Sequence, residues 1–345
     1  MTGRRFRHFQ KSAAVLAVMA AVLASPVAGF ADEPLSQGKP VNVRTKAIDI
    51  FQIGREERTF GKLTFLGGLE LLASDREIGG LSGLISLEGG NAFLAVTDHG
   101  HWVSGRIVQT AEGTPLDVSG VRMAPLLGAD GKALKARWGH DTEALALDGS
   151  DLYVTAETRN AIYRYPWPLT TGKERMLGEV KLAEDIRALP RNTGLEALAV
   201  APGGSSVAGS LIAVAESPAG EGSDLEGYII GPDGTDRFGI RRHDGFDATD
   251  AAFLPDGDML LLERRFTLLD LIGLRLRRFP GESIRPDALL EGELLLEADF
   301  GYQIDNMEAL AVHRNEAGET ILTLLSDDNR SFLQRTILLR FRLDD

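Results

Sequence analysis

Apolar and polar positions along most of this chain follow a long period. A short apolar run, opened by a small or acidic residue, is followed by a Gly or Asp-Gly turn and a second apolar run that ends in a carboxylate. The unit occurs five times, at 79–87, 141–147, 193–200, 248–254 and 305–312. The units begin about 53 to 61 residues apart. A nearly fixed period of that length predicts a ring of small sheets rather than a helical solenoid.

Each unit predicts an antiparallel sheet, and the second is the clearest. It has strands at 143–147, 152–157, 161–167 and 175–182, with a glycine turn between the first two. The last unit has only three strands, and the early run 62–74 supplies the missing one. The sequence therefore predicts an all-β protein, a β-propeller closed by pairing of N- and C-terminal strands. It has five evident blades, and residues 42–78 offer an alternative sixth.

The N-terminus has the pattern of an export signal. Four basic residues lie within the first eleven, an apolar run covers 13–24, and Gly29 and Ala31 stand at −3 and −1 before Asp32. We predict a cleaved signal peptide over 1–31, a flexible lead-in over 32–46 and the propeller domain over 47–345. The mature protein is then periplasmic or secreted. Adjacent Arg4 and Arg5 leave the general and twin-arginine export routes both open.

Charge and composition narrow the partners. The chain has 37 basic and 50 acidic residues and a formal charge of −13, which becomes −17 when 1–31 is removed. Such a charge repels anionic ligands unless local cations hold them. No basic cluster follows the N-terminus, so nucleic acid is not an expected partner. No membrane span is expected in the mature chain, which we predict to be a monomer acting on a small molecule. Cysteine is absent, which excludes disulfides and thiolate metal sites.

The carboxylates are predicted to meet at one mouth of the ring. In a propeller blade, the residue that opens the first strand and the residue that closes the second lie at the same end of the hairpin. This brings each repeat opener close to an acid at the end of its second run. The openers are Ser82, Glu143, Glu196, Asp250 and Glu308, and the acids paired with the last four are Glu157, Glu216, Glu263 and Asp327 or Asp328. Crowded carboxylates repel, and a hard divalent cation relieves the repulsion. Oxygen-only ligands favour Ca²⁺ over Zn²⁺.

Basic residues accompany several of these acids. Arg159 follows Glu157 by two positions, Arg264 follows Glu263 directly and Arg330 follows Asp328 by two, while His99 follows Asp98. Arginines beside a metal can hold a phosphate or carboxylate through two hydrogen bonds. The alternative is that they are ion-pair partners of the acids. No G-x-S-x-G elbow, phosphate-binding loop or H-E-x-x-H motif is present, so the sequence does not support a serine nucleophile or a zinc site of that type.

Several motifs together resemble one family. GGLSGL, AVTDHGHW, the EALAL and LEALAV copies and the ending SDDNRSFLQRT are similar to the exported bacterial family called phytase-like, or esterase-like activity of phytase. The resemblance covers roughly 60–345 and implies a propeller that hydrolyses phosphoesters. Transferred by position, the family's acids are Asp98, Glu143, Glu196, Glu308, Asp327 and Asp328.

The leading hypothesis is an exported, Ca²⁺-dependent hydrolase of phosphate esters. The metal ligands would be Glu143, Glu196, Glu308, Asp98 and Asp328. Asp98, Glu196 and Asp327 would be catalytic, and Arg159, Arg264, Arg330 and His99 would bind substrate. Two alternatives stay open, a calcium-dependent lactonase or carboxylesterase and a non-catalytic envelope propeller with a structural ion.

Overall fold

The computed structural model describes residues 34–75, 78–135, 140–190, 193–218, 223–267 and 271–344. The predicted export signal lies outside these ranges and stays a prediction. Within them the regular structure is nearly all strand, with a single short helix, α1 (Glu184–Arg187). Three 3₁₀ turns occupy Glu88–Gly90, Glu157–Arg159 and Gly281–Ser283. None of the described helices is long and apolar enough to cross a bilayer.

The early strands and blades one and two come first along the chain. The early strands are β1 (Lys39–Pro40), β2 (Val43–Ile48), β3 (Thr59–Phe60) and β4 (Leu63–Ala73). Blade one has β5 (Leu81–Leu87), β6 (Ala92–Thr97), β7 (His101–Gln109) and β8 (Pro115–Pro125). Blade two has β9 (Thr142–Asp148), β10 (Asp151–Ala156), β11 (Ala161–Pro166) and β12 (Gly178–Glu179).

The other three blades repeat this antiparallel pattern. Blade three has β13 (Leu195–Val200), β14 (Leu211–Ala215), β15 (Leu225–Gly231) and β16 (Gly234–Ile240). Blade four has β17 (Asp247–Phe253), β18 (Met259–Thr267) and β19 (Leu271–Phe279). Two further strands follow, β20 (Leu289–Leu290), which joins the edge of blade three in parallel, and β21 (Glu293–Ala298), which completes blade four. Blade five has β22 (Asn306–Arg314), β23 (Thr320–Asp327) and β24 (Ile337–Leu343).

Pairing between the two ends of the chain closes the ring, as predicted. β4 pairs antiparallel with β24, and β2 then pairs with β4, so blade five has the strand order β2-β4-β24-β23-β22. β2 and β4, the long strands within 42–78, therefore complete blade five and do not form a sixth blade. The closure pairs the outer side of β24, which would otherwise be an exposed edge, and propellers limit edge-to-edge association in this way.

The segment 34–46 is part of the fold, and the prediction of a flexible lead-in is wrong there. β1 adds to the outer edge of blade one by pairing with β8, and β2 begins at Val43. Leu35 is fully buried among the apolar side chains of blades one and two. An apolar anchor and main-chain pairing order this segment, although its composition is polar.

The hydrophobic core is divided among the five gaps between successive blades. Each gap holds one apolar cluster built from both neighbouring sheets. A strand between two gaps is covered on both faces, which explains continuous apolar runs such as 259–262, all fully buried. Packing of this kind fixes the inner strands around a common axis and therefore fixes the residues at their ends.

Candidate functional site

A β-bulge recurs at the start of every inner strand and directs the repeat-opening side chains. In each blade, the pairing of the first and second strands leaves one extra residue on the first, inner strand. This residue is Ser82 in blade one, Glu196 in blade three and Glu308 in blade five. In blade two the extra residue falls within the pair Glu143 and Ala144. Bulges re-aim side chains at the ends of strands. Here they direct three glutamates toward one end of the ring.

Blade four departs from the predicted repeat alignment. Its bulge residue is Thr249, so Thr249 and not Asp250 is the counterpart of Glu196 and Glu308. Asp250 lies one position later and is buried. Its carboxylate oxygens accept the backbone N–H groups of Ala251 and Leu310, both at 2.8 Å. The Asp250 carboxyl therefore ties blade four to blade five, and its position is structural.

Glu263, expected beside Asp250 at the mouth, is fully buried elsewhere. It makes a two-point ion pair with Arg277, with Nη2–Oε1 and Nε–Oε2 distances of 2.5 and 2.6 Å. The next residue, Arg264, takes the place that the other blades give to an acid. Blade four thus contributes a cation to the mouth.

Five carboxylates from blades two and three form two overlapping groups at this mouth. One oxygen from each of Asp141, Glu143 and Glu157 lies within 4.8 Å of the other two, and the same holds for Glu157, Glu196 and Glu216. Glu157 belongs to both groups. Two oxygens bound to one Ca²⁺ ion are at most about 4.6–5.2 Å apart, twice the usual metal–oxygen distance. Each group is therefore compact enough to surround one such ion.

Glu196 is the least satisfied of these acids. Glu196 is only 7% exposed, and one of its carboxylate oxygens lies in the group with Glu157 and Glu216. Among the described residues, no hydrogen bond or ion pair reaches its carboxylate. A buried carboxylate without a partner is costly unless a cation or a proton neutralises it. The donor set and this orphaned group both fit a hard cation.

Besides the nearby charge of Arg264, protons can neutralise these acids. Burial raises the pKa of Glu196 well above its usual range, and the charges of Glu143 and Glu216 add to the effect. Burial likewise raises the pKa of Glu157 to about 7, reinforced by Glu216. The pKa of Glu143 is raised well above normal by burial and by Asp141 and Glu308. The cluster therefore holds protons at neutral pH that a bound cation would displace.

Arg264 neutralises the side of the mouth formed by blades three and five. Its Nη1 donates to Glu308 Oε1 and to Asn306 Oδ1, each at 2.5 Å, and its Nη2 donates to Glu216 Oε1 at 3.1 Å. Asn306 also donates to Glu308 Oε1 at 2.6 Å. Glu308, predicted as a metal ligand, is thus held by an arginine and an amide. Burial still raises the pKa of Glu308 to about 7.

A second group of acids lies where blades five and one meet. Burial raises the pKa of Asp327 to about 7, and Asp98 and Asp328 add to it by repulsion. Asp98 forms an ion pair with His99 Nδ1, while burial raises its pKa above normal. These predicted residues adjoin the five-carboxylate cluster, since the charge of Asp98 also raises the pKa values of Asp141 and Glu143.

Gly80 allows the Asp98 carboxylate to lie against the backbone at the start of blade one. Its φ is +82°, and a Cβ there would lie 2.0 Å from Asp98 Oδ1. Its N–H also donates to Asp327. A side chain at this position would displace the Asp98 carboxylate, which gives the GGLSGL motif a physical role.

The remaining predicted cations face solvent. Arg159 is exposed at the end of the 3₁₀ turn after β10, and no hydrogen bond or ion pair joins it to another described residue. Arg330 is exposed in the loop after β23, and its charge lowers the pKa of Asp98. Both guanidinium groups are free to meet an anion at the mouth, whereas Arg264 is already bound to carboxylates.

A cleft of about 590 Å³ opens beside Arg264. Apolar side chains of the β18–β19 hairpin and of Ile304 and Leu333 form what we call its apolar wall, and the rest of the lining is charged or polar and includes Glu216, Arg264, Arg265 and Asp305. This cleft does not follow from the sequence pattern. Asp141 and Asn306 are members of the site beyond those predicted, although both belong to repeat units, at 141–147 and 305–312.

Residues 76–330 match the sequence profile described as Phytase-like: esterase-like activity of phytase. The chain belongs to the phytase-like family. No curated protein matches the sequence.

Solved structures similar to this phytase-like chain include three bacterial proteins. Glutaminyl cyclase from Myxococcus xanthus is 12% identical, with 77% of this chain and 92% of that chain covered and a TM-score of 0.39. A gluconolactonase from Xanthomonas campestris is 14% identical, with 88% and 98% covered and a TM-score of 0.40. A putative 6-phosphogluconolactonase from Bacteroides uniformis is 12% identical, with 85% and 95% covered and a TM-score of 0.31. Identities and TM-scores this low do not bear on the chemistry.

Proposed function

We propose that this phytase-like protein is an exported, Ca²⁺-dependent hydrolase of phosphate esters. The observation that carries the proposal is the pair of carboxylate groups sharing Glu157, in which the buried Glu196 accepts no hydrogen bond and forms no ion pair with the residues that the structure describes. Asp141, Glu143, Glu157, Glu196 and Glu216 would hold the metal. Export is proposed from the N-terminal pattern alone.

A bound Ca²⁺ would supply Lewis-acid polarisation of the scissile ester. The chain itself would supply orientation and proton transfer. Asp327, with a pKa raised to about 7 by burial, can take a proton from water near neutral pH, and Asp98 lies beside it. Arg159 and Arg330 are the exposed cations that would hold the phosphate, and His99 would assist through its ion pair with Asp98.

The predicted metal set is thereby revised as a proposal. Glu143 and Glu196 stay in it, joined by Asp141, Glu157 and Glu216. Glu308 is engaged by Arg264 and Asn306, and would support the site by positioning Arg264. Asp98 and Asp328 lie outside both compact carboxylate groups and would act on substrate and water, or complete the shell of the ion.

The test is a substrate panel on the purified protein. Phosphomonoesters, phosphodiesters, carboxylic esters and lactones are assayed with calcium and with a chelator. We expect calcium-dependent turnover of a phosphate ester that chelation removes. Absence of turnover with every metal tried would remove the proposal.

A carboxylesterase or lactonase is the second candidate, and the cleft beside Arg264 favours it. Its apolar wall and the acidic charge of the mouth suit a neutral ester better than a multiply charged phosphate. Calcium-dependent turnover confined to the carboxylic esters or lactones would select this candidate.

A further inference from the structure

Four large apolar side chains at the mouth end of the propeller are exposed to solvent, and three of them are the most exposed of the described chain. Phe332 is 96% exposed, Leu333 78%, Phe266 72% and Leu271 50%. Phe266 and Leu271 lie on the β18–β19 hairpin, and Phe332 and Leu333 lie in the loop that follows β23. Large exposed apolar groups clustered on a concave surface mark a place where another molecule is bound.

Three of these side chains line one cavity together with members of the carboxylate site. Phe266, Leu271 and Leu333 belong to the apolar wall of the 590 Å³ cleft, and so do Ile272 and Ile304. Glu216, Arg264 and Asn306 line the same cleft. Its volume lies within the roughly 300–1,000 Å³ usual for small-molecule sites.

The geometry points to an apolar subsite, so that the ester cleaved at the mouth carries an aliphatic or aromatic group that binds between the β18–β19 hairpin and Leu333. This inference rests on the proposed function and specifies its substrate class. Arg264 marks the junction, because its guanidinium contacts Glu216 and Glu308 while its side chain borders the cleft. The charged end of a substrate would then lie at the carboxylates and its apolar end against Phe266.

A soluble ligand fits these observations better than a membrane surface. The apolar groups line a concave cleft, and the formal charge of −13 opposes approach to anionic lipids. The opposite charges of metal and phosphate would fix one end of the ligand, which leaves the apolar wall to select the other.

The test measures binding separately from turnover. In calcium, n-alkyl phosphonates from methyl to hexyl are titrated calorimetrically against wild-type protein and against the double variant Phe266→Ser/Leu333→Ser. We expect the wild-type affinity to rise by up to about fourfold per methylene that is buried. The double variant should lose this chain-length dependence and bind methylphosphonate as the wild type does. Leu116→Ser, which removes an exposed apolar side chain on β8 outside the cleft, should behave as the wild type.

The outcomes separate this inference from the proposed function. Chain-length-dependent binding without turnover of any ester supports the subsite and removes the hydrolase. Turnover with equal affinity for all chain lengths removes the subsite and leaves the hydrolase. Unchanged chain-length dependence in the double variant also overturns the subsite. Binding to zwitterionic vesicles that the double variant loses, without selectivity among the phosphonates, would assign these side chains to a lipid surface instead.

Discussion

Glu196→Gln is expected to lower calcium affinity by more than about 100-fold, beyond the 10–100-fold typical of residues that only support a ligand. The glutamine keeps the size of the side chain and removes the charge of a buried carboxylate that no described residue reaches by a hydrogen bond or ion pair. Hydrolysis should fall by about 1,000-fold or more, the upper range for loss of one electrostatic contact to a transition state. Isothermal titration with calcium, and kcat/KM measured at substrate concentrations well below KM, check both effects.

The same variant should fold well without metal, since the glutamine amide is neutral in the buried cluster without binding a proton. Its melting temperature in chelator should equal or exceed that of the wild type, and calcium should no longer raise it. Asp250→Asn is the matched control at a neighbouring inner strand. It disturbs the hydrogen bonds to Ala251 and Leu310, and should lower stability while calcium affinity stays unchanged. Normal calcium binding by Glu196→Gln would contradict the assignment.

Without metal, the protein should lose stability as the pH rises from 5 to 8. Burial raises the pKa values of Glu157, Glu308 and Asp327 to about 7 in the folded chain, well above those of an unfolded chain. Between these values the folded state binds more protons than the unfolded state, so stability falls with increasing pH. The melting temperature in chelator should drop by ~5 °C or more over this range. Calcium replaces the protons and should therefore stabilise the protein much more at pH 8 than at pH 5.

Thermal unfolding at several pH values, with chelator and with calcium, measures this dependence. Glu157→Gln should flatten the pH profile in chelator, because it removes one of the raised carboxyls. Glu293→Gln serves as the control, since Glu293 lies on the surface of β21 in an ion pair with Lys62. A metal-free protein that is most stable at pH 8 would contradict this prediction, because it would show that ionising these buried carboxyls does not destabilise the fold.

The repeat pattern was enough to predict the propeller and its closure. A period of 53 to 61 residues gives one blade per unit, and a fifth unit one strand short requires a donor, which β4 provides. The pattern could not exclude a sixth blade, because pairing of β2 with β4 depends on a sheet whose other strands lie at the C-terminus. For the same reason, the burial of Leu35 could not be inferred from its polar surroundings.

The site was predictable in outline and uncertain at single residues. Side chains along a strand point alternately to opposite faces of the sheet. When a bulge lies one position earlier or later, a side chain expected at the mouth points into the blade interior instead. Thr249 and Asp250 differ by this shift, and so do Glu263 and Arg264, one bound to Arg277 and the other at the mouth. Loop residues such as Leu333 carry no period at all, and the cleft they line depends on tertiary structure.

Long-wavelength diffraction from crystals grown in calcium would locate the proposed ion itself. We expect an anomalous peak within about 2.6 Å of carboxylate oxygens of both Glu157 and Glu196, the usual calcium–oxygen distance. A second peak between Asp141 and Glu143 would show that both groups are filled. No peak at this mouth, with Glu196 bound instead to a donor from the protein, would contradict the metal site.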